Sequence, residues 1–313
     1  MWQLLLLLAA SAAARPEETS TTKEVNYRKY IGEQDYKLPL LTRLVEPLVI
    51  GQTIHTVGTL KAEPKRVDFN FLKGGAKDAD MPLHFSIRFD EAGLFSNGKF
   101  VYNTYQNGNW SENEQRMSNP FKASEEFDLR VRILDGKYHV FANRKELGFF
   151  EQRQDLKGID HVSIRGDLVK LRLFHYGGRI FPNPYTAVAP LKPGKRLDVS
   201  GLATGKRFNV NLYKENKEFA LQISVRFDEG AVVRNAMTNN VWGKEEREGA
   251  FPLEKGQIFD LTIINEEYSF QIFFNGKRFA TFAHRGSPSD LKTIGIDGDL
   301  EIHAVNFNDA PGI

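Results

Sequence analysis

From Asn239 to Ile263 the chain reads NNVWGKEEREGAFPLEKGQIFDLTI, and Trp242, Glu245 and Arg247 fall close together at its centre. An indole offers a flat apolar face, while a carboxylate and a guanidinium offer forked hydrogen bonds of fixed geometry. Together they suit a ligand with C–H groups on one face and hydroxyls around its rim, which describes a sugar ring. Trp242 and Glu245 stand an odd number of positions apart, so a regular strand would turn them to opposite faces. A bulge at Gly243-Lys244 is expected to bring both to one side, with Glu245 and Arg247 sharing that face.

A second polar line precedes the first. In ALQISVRF, Gln222, Ser224 and Arg226 alternate with apolar residues, so one face of a strand carries all three. PLHFSIRF repeats the device with His84, Ser86 and Arg88, leaving Leu83, Phe85, Ile87 and Phe89 for a core. An Asn and a Trp follow each line: Asn103 and Trp110 after the first, Asn235 and Trp242 after the second. Both equivalents are separated by 132 positions.

These coincidences belong to a duplication. RFDE occurs at 88–91 and 226–229, FDL at 127–129 and 259–261, and GDL at 166–168 and 298–300. Asn143 and Asn275, like Arg153 and Arg285, keep the offset of 132. Two copies are too few for a solenoid, so the chain reads as one globular domain written twice. Each copy is built of short segments of period two, such as RVDFNF, FDLRVRI and KYHVFAN in the first and RFNVNLY, IFDLTII and YSFQIFF in the second. DGK at 135–137 and FNGK at 274–277 read as hairpin turns. The pattern predicts an all-β protein, each copy forming a β-sandwich or a jelly roll. The expected organisation is a polar, flexible leader at 15–40, a first domain at 41–175, a Gly- and Pro-rich linker at 176–188 and a second domain at 189–313.

The first residues, MWQLLLLLAASAAARPEE, resemble a secretory signal peptide cleaved near Ala14, and the run is too short to span a bilayer. A secreted, extracellular protein without membrane insertion is expected. The 313 residues contain no cysteine, so thiol catalysis and disulfides are excluded. A net charge of +2 gives no field for nucleic acid. The seven histidines form no metal-binding motif, and no cofactor is implied.

The line His-x-Asn-x-Arg, then Val-x-Asn, then Trp-Gly-x-Glu-x-Arg is that of the galectins, and residues 40–310 resemble two of their domains in tandem. VVRNAMTNNVWGKEEREGAFPLEKGQIFDL and NGKRFATFAHR in the second repeat carry the resemblance furthest. It implies the galectin jelly roll and a lectin for β-galactosides or related glycans, with galactose-containing glycoproteins or glycolipids as partners and cross-linking by two non-identical domains. His and Arg of the family's site take the axial 4-hydroxyl of galactose.

Carried over by position, the first site comprises His84, Ser86, Arg88, Asn103 and Trp110, with Ser86 in place of the family's Asn. Its WSENEQR holds one residue more than the motif. Without a gap, Asn113 and Gln115 fall on the Glu and Arg positions; with a one-residue slip, Glu114 and Arg116 do, and the slip is preferred because both residues then fit. The second site comprises Gln222, Ser224, Arg226, Asn235, Trp242, Glu245 and Arg247, with Gln222 in place of His and Ser224 in place of Asn. Weak or altered galactoside binding, rather than none, is therefore expected. The alternative is a galectin-fold scaffold that has lost sugar binding and acts through protein contacts.

An enzyme is not expected. A retaining glycosidase needs two carboxyls about 5–5.5 Å apart in one cleft, whereas Glu245 and its neighbour Glu246 would face oppositely in a strand. Asn109-Trp110-Ser111 is an N-glycosylation sequon, and a glycan on Asn109 is expected to crowd the first site.

Overall fold

The computed structural model describes residues 26–311 apart from Phe95 and Pro190, and those residues contain strands and no helix. The signal-peptide reading at 1–14 lies outside the described residues.

In the first repeat, Leu40–Arg43, His161–Gly166, Arg66–Leu72, Met81–Arg88, Lys99–Gln106 and Asn109–Trp110 follow one another across an antiparallel sheet, with Gln115–Ser118 also on Lys99–Gln106. A five-stranded sheet, Lys145–Glu151, Lys137–Ala142, Glu126–Leu134, Thr53–Leu60 and Leu168–Gly177, packs behind it. Period-two alternation decides what each face carries. Phe85, Phe100, Tyr102 and Phe150 turn inward, with ring centroids 5.2–5.9 Å apart. Fully burying a side chain of that size contributes about 1.5–3 kcal/mol, so the strand carrying His84, Ser86 and Arg88 rests on a dense aromatic floor.

The second repeat has the same design with one change. Lys195–Lys214 and Leu291–Asp309 each run through both of its sheets, because Arg196–Leu202 pairs with Ile258–Ile264 and Arg207–Tyr213 with Phe219–Arg226. The equivalent of Lys195–Lys214 in the first repeat is divided into Thr53–Leu60 and Arg66–Leu72 by a segment containing Pro64, which has no N–H to give to a ladder. Each repeat has its own apolar core, one around Phe85 and Val131, the other around Leu197 and Ile272.

Two boundaries differ from the sequence reading. Tyr185–Val188, within the expected linker, is an edge strand of the second domain and pairs with Val188 opposite Thr293. Its alternating side chains give it one face to bury, which the Gly and Pro around it concealed. The described part of the leader is packed rather than free: Gln34 and Tyr36 donate backbone hydrogen bonds to Arg172 and Leu171 of 3.0 and 3.1 Å. Both expected hairpins are present. Asn275-Gly276 has φ of 53° and 75°, as a type I′ turn requires.

Candidate carbohydrate sites

The polar line of the first repeat lies on the outer face of the sheet containing Met81–Arg88, opposite the core. His84 is 4% exposed, and its Nδ1 lies 2.6 Å from Asn70 Oδ1. Burial lowers its pKa to about 4, so the ring is neutral near pH 7. With Nδ1 donating to Asn70, Nε2 remains an acceptor for a ligand hydroxyl. Trp110 is 47% exposed and meets the His84 ring at 4.7 Å. Ser86 is buried and donates to Asp68 Oδ1 at 2.8 Å.

Arg88 Nη1 and Nη2 donate to the two oxygens of Glu114 at 3.1 and 2.8 Å, and Nη1 also donates to Glu91 at 3.0 Å. Arg116 closes the figure through Glu114, at 2.6 Å, and through Glu91. Two guanidiniums and two carboxylates thus alternate around a closed ring. Asn113 and Gln115 stand outside it.

The second repeat builds the same ring. Arg226 Nη2 donates to Glu245 at 2.9 Å and Nη1 contacts Glu229 at 3.3 Å. Arg247 Nη1 donates to Glu245 at 2.9 Å and its Nη2 reaches Glu229. The hydrogen bond from Arg226 leads the effects that hold the Glu245 carboxyl below its usual range. Trp242 is 41% exposed beside Phe219, with ring centroids 4.7 Å apart. Gln222 donates to Asn211 Oδ1 at 3.2 Å, occupying the place of the His84–Asn70 pair. Ser224 Oγ accepts from Arg226 Nε at 3.3 Å.

Asn103 and Asn235 have a positioning role. Asn103 Oδ1 accepts from Thr104 N at 2.8 Å and its Nδ2 donates to Ser111 O at 3.2 Å. Asn235 repeats this with Ala236 N at 2.9 Å and Gly243 O at 3.0 Å. Each fastens the loop that follows its Trp.

That loop explains the spacing. In the second repeat Gly243 N bonds Ala236 O, and Glu246 exchanges backbone bonds with Arg234. Asn235 therefore faces two residues, Lys244 and Glu245, the extra residue of a bulge. In the first repeat Ser111 N bonds Thr104 O and the ladder resumes at Tyr102 opposite Gln115. Asn103 there faces Glu112, Asn113 and Glu114. The additional residue is absorbed before Glu114, which then reaches Arg88.

Glu91 and Glu229 were absent from the sequence-derived sites although they complete both rings. The signal was available in RFDE, whose last residue follows the site arginine by three in each repeat. Asp68 and Asn70 were also missed, because they come from the neighbouring strand, where Asp68 faces Ser86 and Asn70 faces His84. Asn109 and Trp110 are successive, exposed residues of a two-residue strand, and alternation turns their side chains to opposite faces.

Two β-sandwiches, each with an exposed Trp beside a ring of paired charges, define a tandem sugar-binding architecture. The galactoside-binding lectin domain matches the chain twice, over residues 39–175 and 183–307, and the chain belongs to that family of lectins. It is 42% identical over 283 residues to a 32 kDa beta-galactoside-binding lectin of Haemonchus contortus, spanning 88% of this chain and 96% of that one. A protein of the same description from Caenorhabditis elegans is 41% identical over 280 residues, covering 88% and 98%. Galectin-4 of Sus scrofa is 28% identical over 312 residues, covering 86% and 95%.

Proposed function

We propose that each domain binds β-galactosides on glycoproteins or glycolipids, and that the chain cross-links them outside the cell. The observation that carries this reading is the ring of Arg88, Glu91, Glu114 and Arg116 beside Trp110, rebuilt from Arg226, Glu229, Glu245 and Arg247 beside Trp242. Ion pairing within the ring holds four forked groups in place before a ligand arrives, so little side-chain freedom is lost on binding. The indole takes the C–H face of the sugar, His84 Nε2 or the Gln222 amide takes a hydroxyl, and the arginines take neighbouring oxygens. Carboxylates occupied by arginines on both sides are poor general acids, which supports binding over hydrolysis. The apolar run before Ala14 supports the extracellular setting.

Retention on immobilised lactose tests the reading. The intact chain is expected to bind and to elute with free lactose, Trp110→Leu and Trp242→Leu each to weaken retention, and the double variant to abolish it. Failure of the intact chain to bind lactose or any galactoside array feature would overturn the proposal.

A further inference from the structure

The faces of the two sandwiches that turn away from the sugar sites meet each other. Arg130 lies buried between Asp128 of its own strand and Asp260 of the other domain, and these two aspartates hold the same place in the repeated FDL. Arg130 donates to Asp128 through Nε and Nη2, both at 2.9 Å, and to Asp260 through Nη1 and Nη2, both at 2.8 Å. Arg132, also buried, reaches Glu301 of the second domain at 2.7 Å. Backbone joins in, since Ile258 N donates to Arg144 O at 3.0 Å.

Arg144 carries a further signal. Its φ is 73°, at the place where the equivalent turn of the second repeat has Gly276. A left-handed conformation is costly for arginine and free for glycine. Arg144 uses the position to send its side chain across the domain boundary, where it contacts Asp260, Asn275 Oδ1 at 3.0 Å and the Tyr30 hydroxyl at 2.6 Å.

Tyr30 belongs to the leader, which crosses the boundary. On the second domain, the carbonyl of Arg28 accepts from Arg196 at 2.7 Å and Tyr27 donates to Glu266 at 2.6 Å. At the junction the Tyr30 hydroxyl donates to Asp260 at 3.2 Å and its ring stands edge-on to His55 at 4.9 Å. On the first domain the segment pairs with Leu171 and Arg172.

We infer that the leader and the charged junction clasp the domains back to back, so that the two sugar sites face in opposite directions and the chain bridges two separate glycan-bearing surfaces. Between the sites lie four sheet layers, roughly 30 Å at about 10 Å per packed pair. Two outward-facing sites cannot engage one membrane together, and avidity is lost wherever geometry forbids simultaneous contact. The bridging half of the inference rests on galactoside binding as proposed above; the clasp does not.

The chain has no cysteine, so spin labels can be placed at will. Labels at Glu112→Cys and Lys244→Cys in the full chain are expected to give one narrow distance distribution. Tyr30→Ala/Arg144→Gly/Asp260→Asn is expected to broaden it; glycine suits the turn, and Arg130 keeps Asp128. A broad distribution in the parent chain, or a narrow one that survives the triple change, would overturn the clasp. On a single supported bilayer containing lactosylceramide, the intact chain is expected to bind within about twofold of the tighter of Trp110→Leu and Trp242→Leu, while aggregating lactosylceramide vesicles that neither variant aggregates. The triple variant is expected to bind the single bilayer about tenfold or more tighter than the intact chain. A comparable avidity gain by the intact chain would overturn opposed sites. A narrow distance with no binding by any form would instead remove the galactoside reading.

Discussion

Arg88 grips Glu114 through both of its terminal nitrogens, at 3.1 and 2.8 Å, whereas Arg226 meets Glu245 through Nη2 at 2.9 Å. The loop from Trp to this glutamate is one residue longer in the first repeat. Arg226 also gives its Nε to Ser224.

Removing the Glu245 charge from the second ring should loosen both of its arginines, which then keep only Glu229. Glu245→Gln in a Trp110→Leu background is expected to weaken lactose binding about tenfold, since hydrogen bonds to charged groups contribute roughly 1.5–3 kcal/mol. Lactose titration of the remaining tryptophan fluorescence measures it. Affinity unchanged within twofold would show that the ring does not organise the site.

His84 sets a pH dependence for the first site. Its folded pKa, about 4, lies below the unfolded value near 6.5. Lactose affinity in a Trp242→Leu background is expected to stay level from pH 8 to pH 5 and to fall toward pH 4, as Nε2 becomes a donor. His84→Gln, which imitates Gln222, should remove that fall. A wild-type profile that drops between pH 7 and 6 would contradict the buried neutral ring.

The same depression bears on folding. Between pH 6.5 and 4 the unfolded chain binds protons that folded His84 and His303, both at about 4, refuse. Their contribution is complete above the unfolded pKa and is lost as pH falls through that window, at most about 3 kcal/mol for each. Asp128 and Asp260, held well below the usual carboxylate range despite burial, largely through Arg130, add losses only at lower pH. Urea midpoints should therefore fall between pH 7 and 4.5. Equal midpoints would refute this.

The surfaces beside the two sites differ in charge. Asp68, next to Ser86, faces the cation Arg165 across the sheet, with a 3.7 Å contact. In the second repeat the matching place holds Asn209, bonded at 2.7 Å to the carboxylate of Asp297. A galactoside sulfated toward this side should favour the first site over the second by about fivefold or more, because Arg165 offsets the Asp68 carboxylate at the first site while the Asp297 carboxylate repels the sulfate at the second. Titrating Trp110→Leu and Trp242→Leu with sulfated and plain lactose checks the ratio, and Arg165→Gln should erase it.

Asn109 offers a test of secretion and of geometry together. Glycosidase treatment of the exported protein is expected to reduce its mass at this sequon, and Asn109→Gln to leave lactose affinity in a Trp242→Leu background within twofold, because Asn109 and Trp110 point oppositely. An unmodified Asn109 would remove the first expectation and a large affinity gain the second.

What the sequence determined by itself is local and periodic. Alternation put His84, Ser86 and Arg88 on one face, and duplication showed that the face is used twice. The count from Trp alone pointed to Asn113 and Gln115, and it was residue type, matched to the family motif with a one-residue slip, that favoured Glu114 and Arg116. Each inference needs only local sequence and the geometry of a strand or a loop. The remainder depended on which distant segments become neighbours. Glu91 and Glu229 joined their rings because a turn folds back over the sheet, and Asp68 and Asn70 entered through strand register. Arg130 and Asp260, far apart in the chain, met only when two outer faces closed on each other under Tyr30. A charge in a sequence carries no record of its partner, because Coulomb attraction and burial act through space, and only the folded chain fixes those distances.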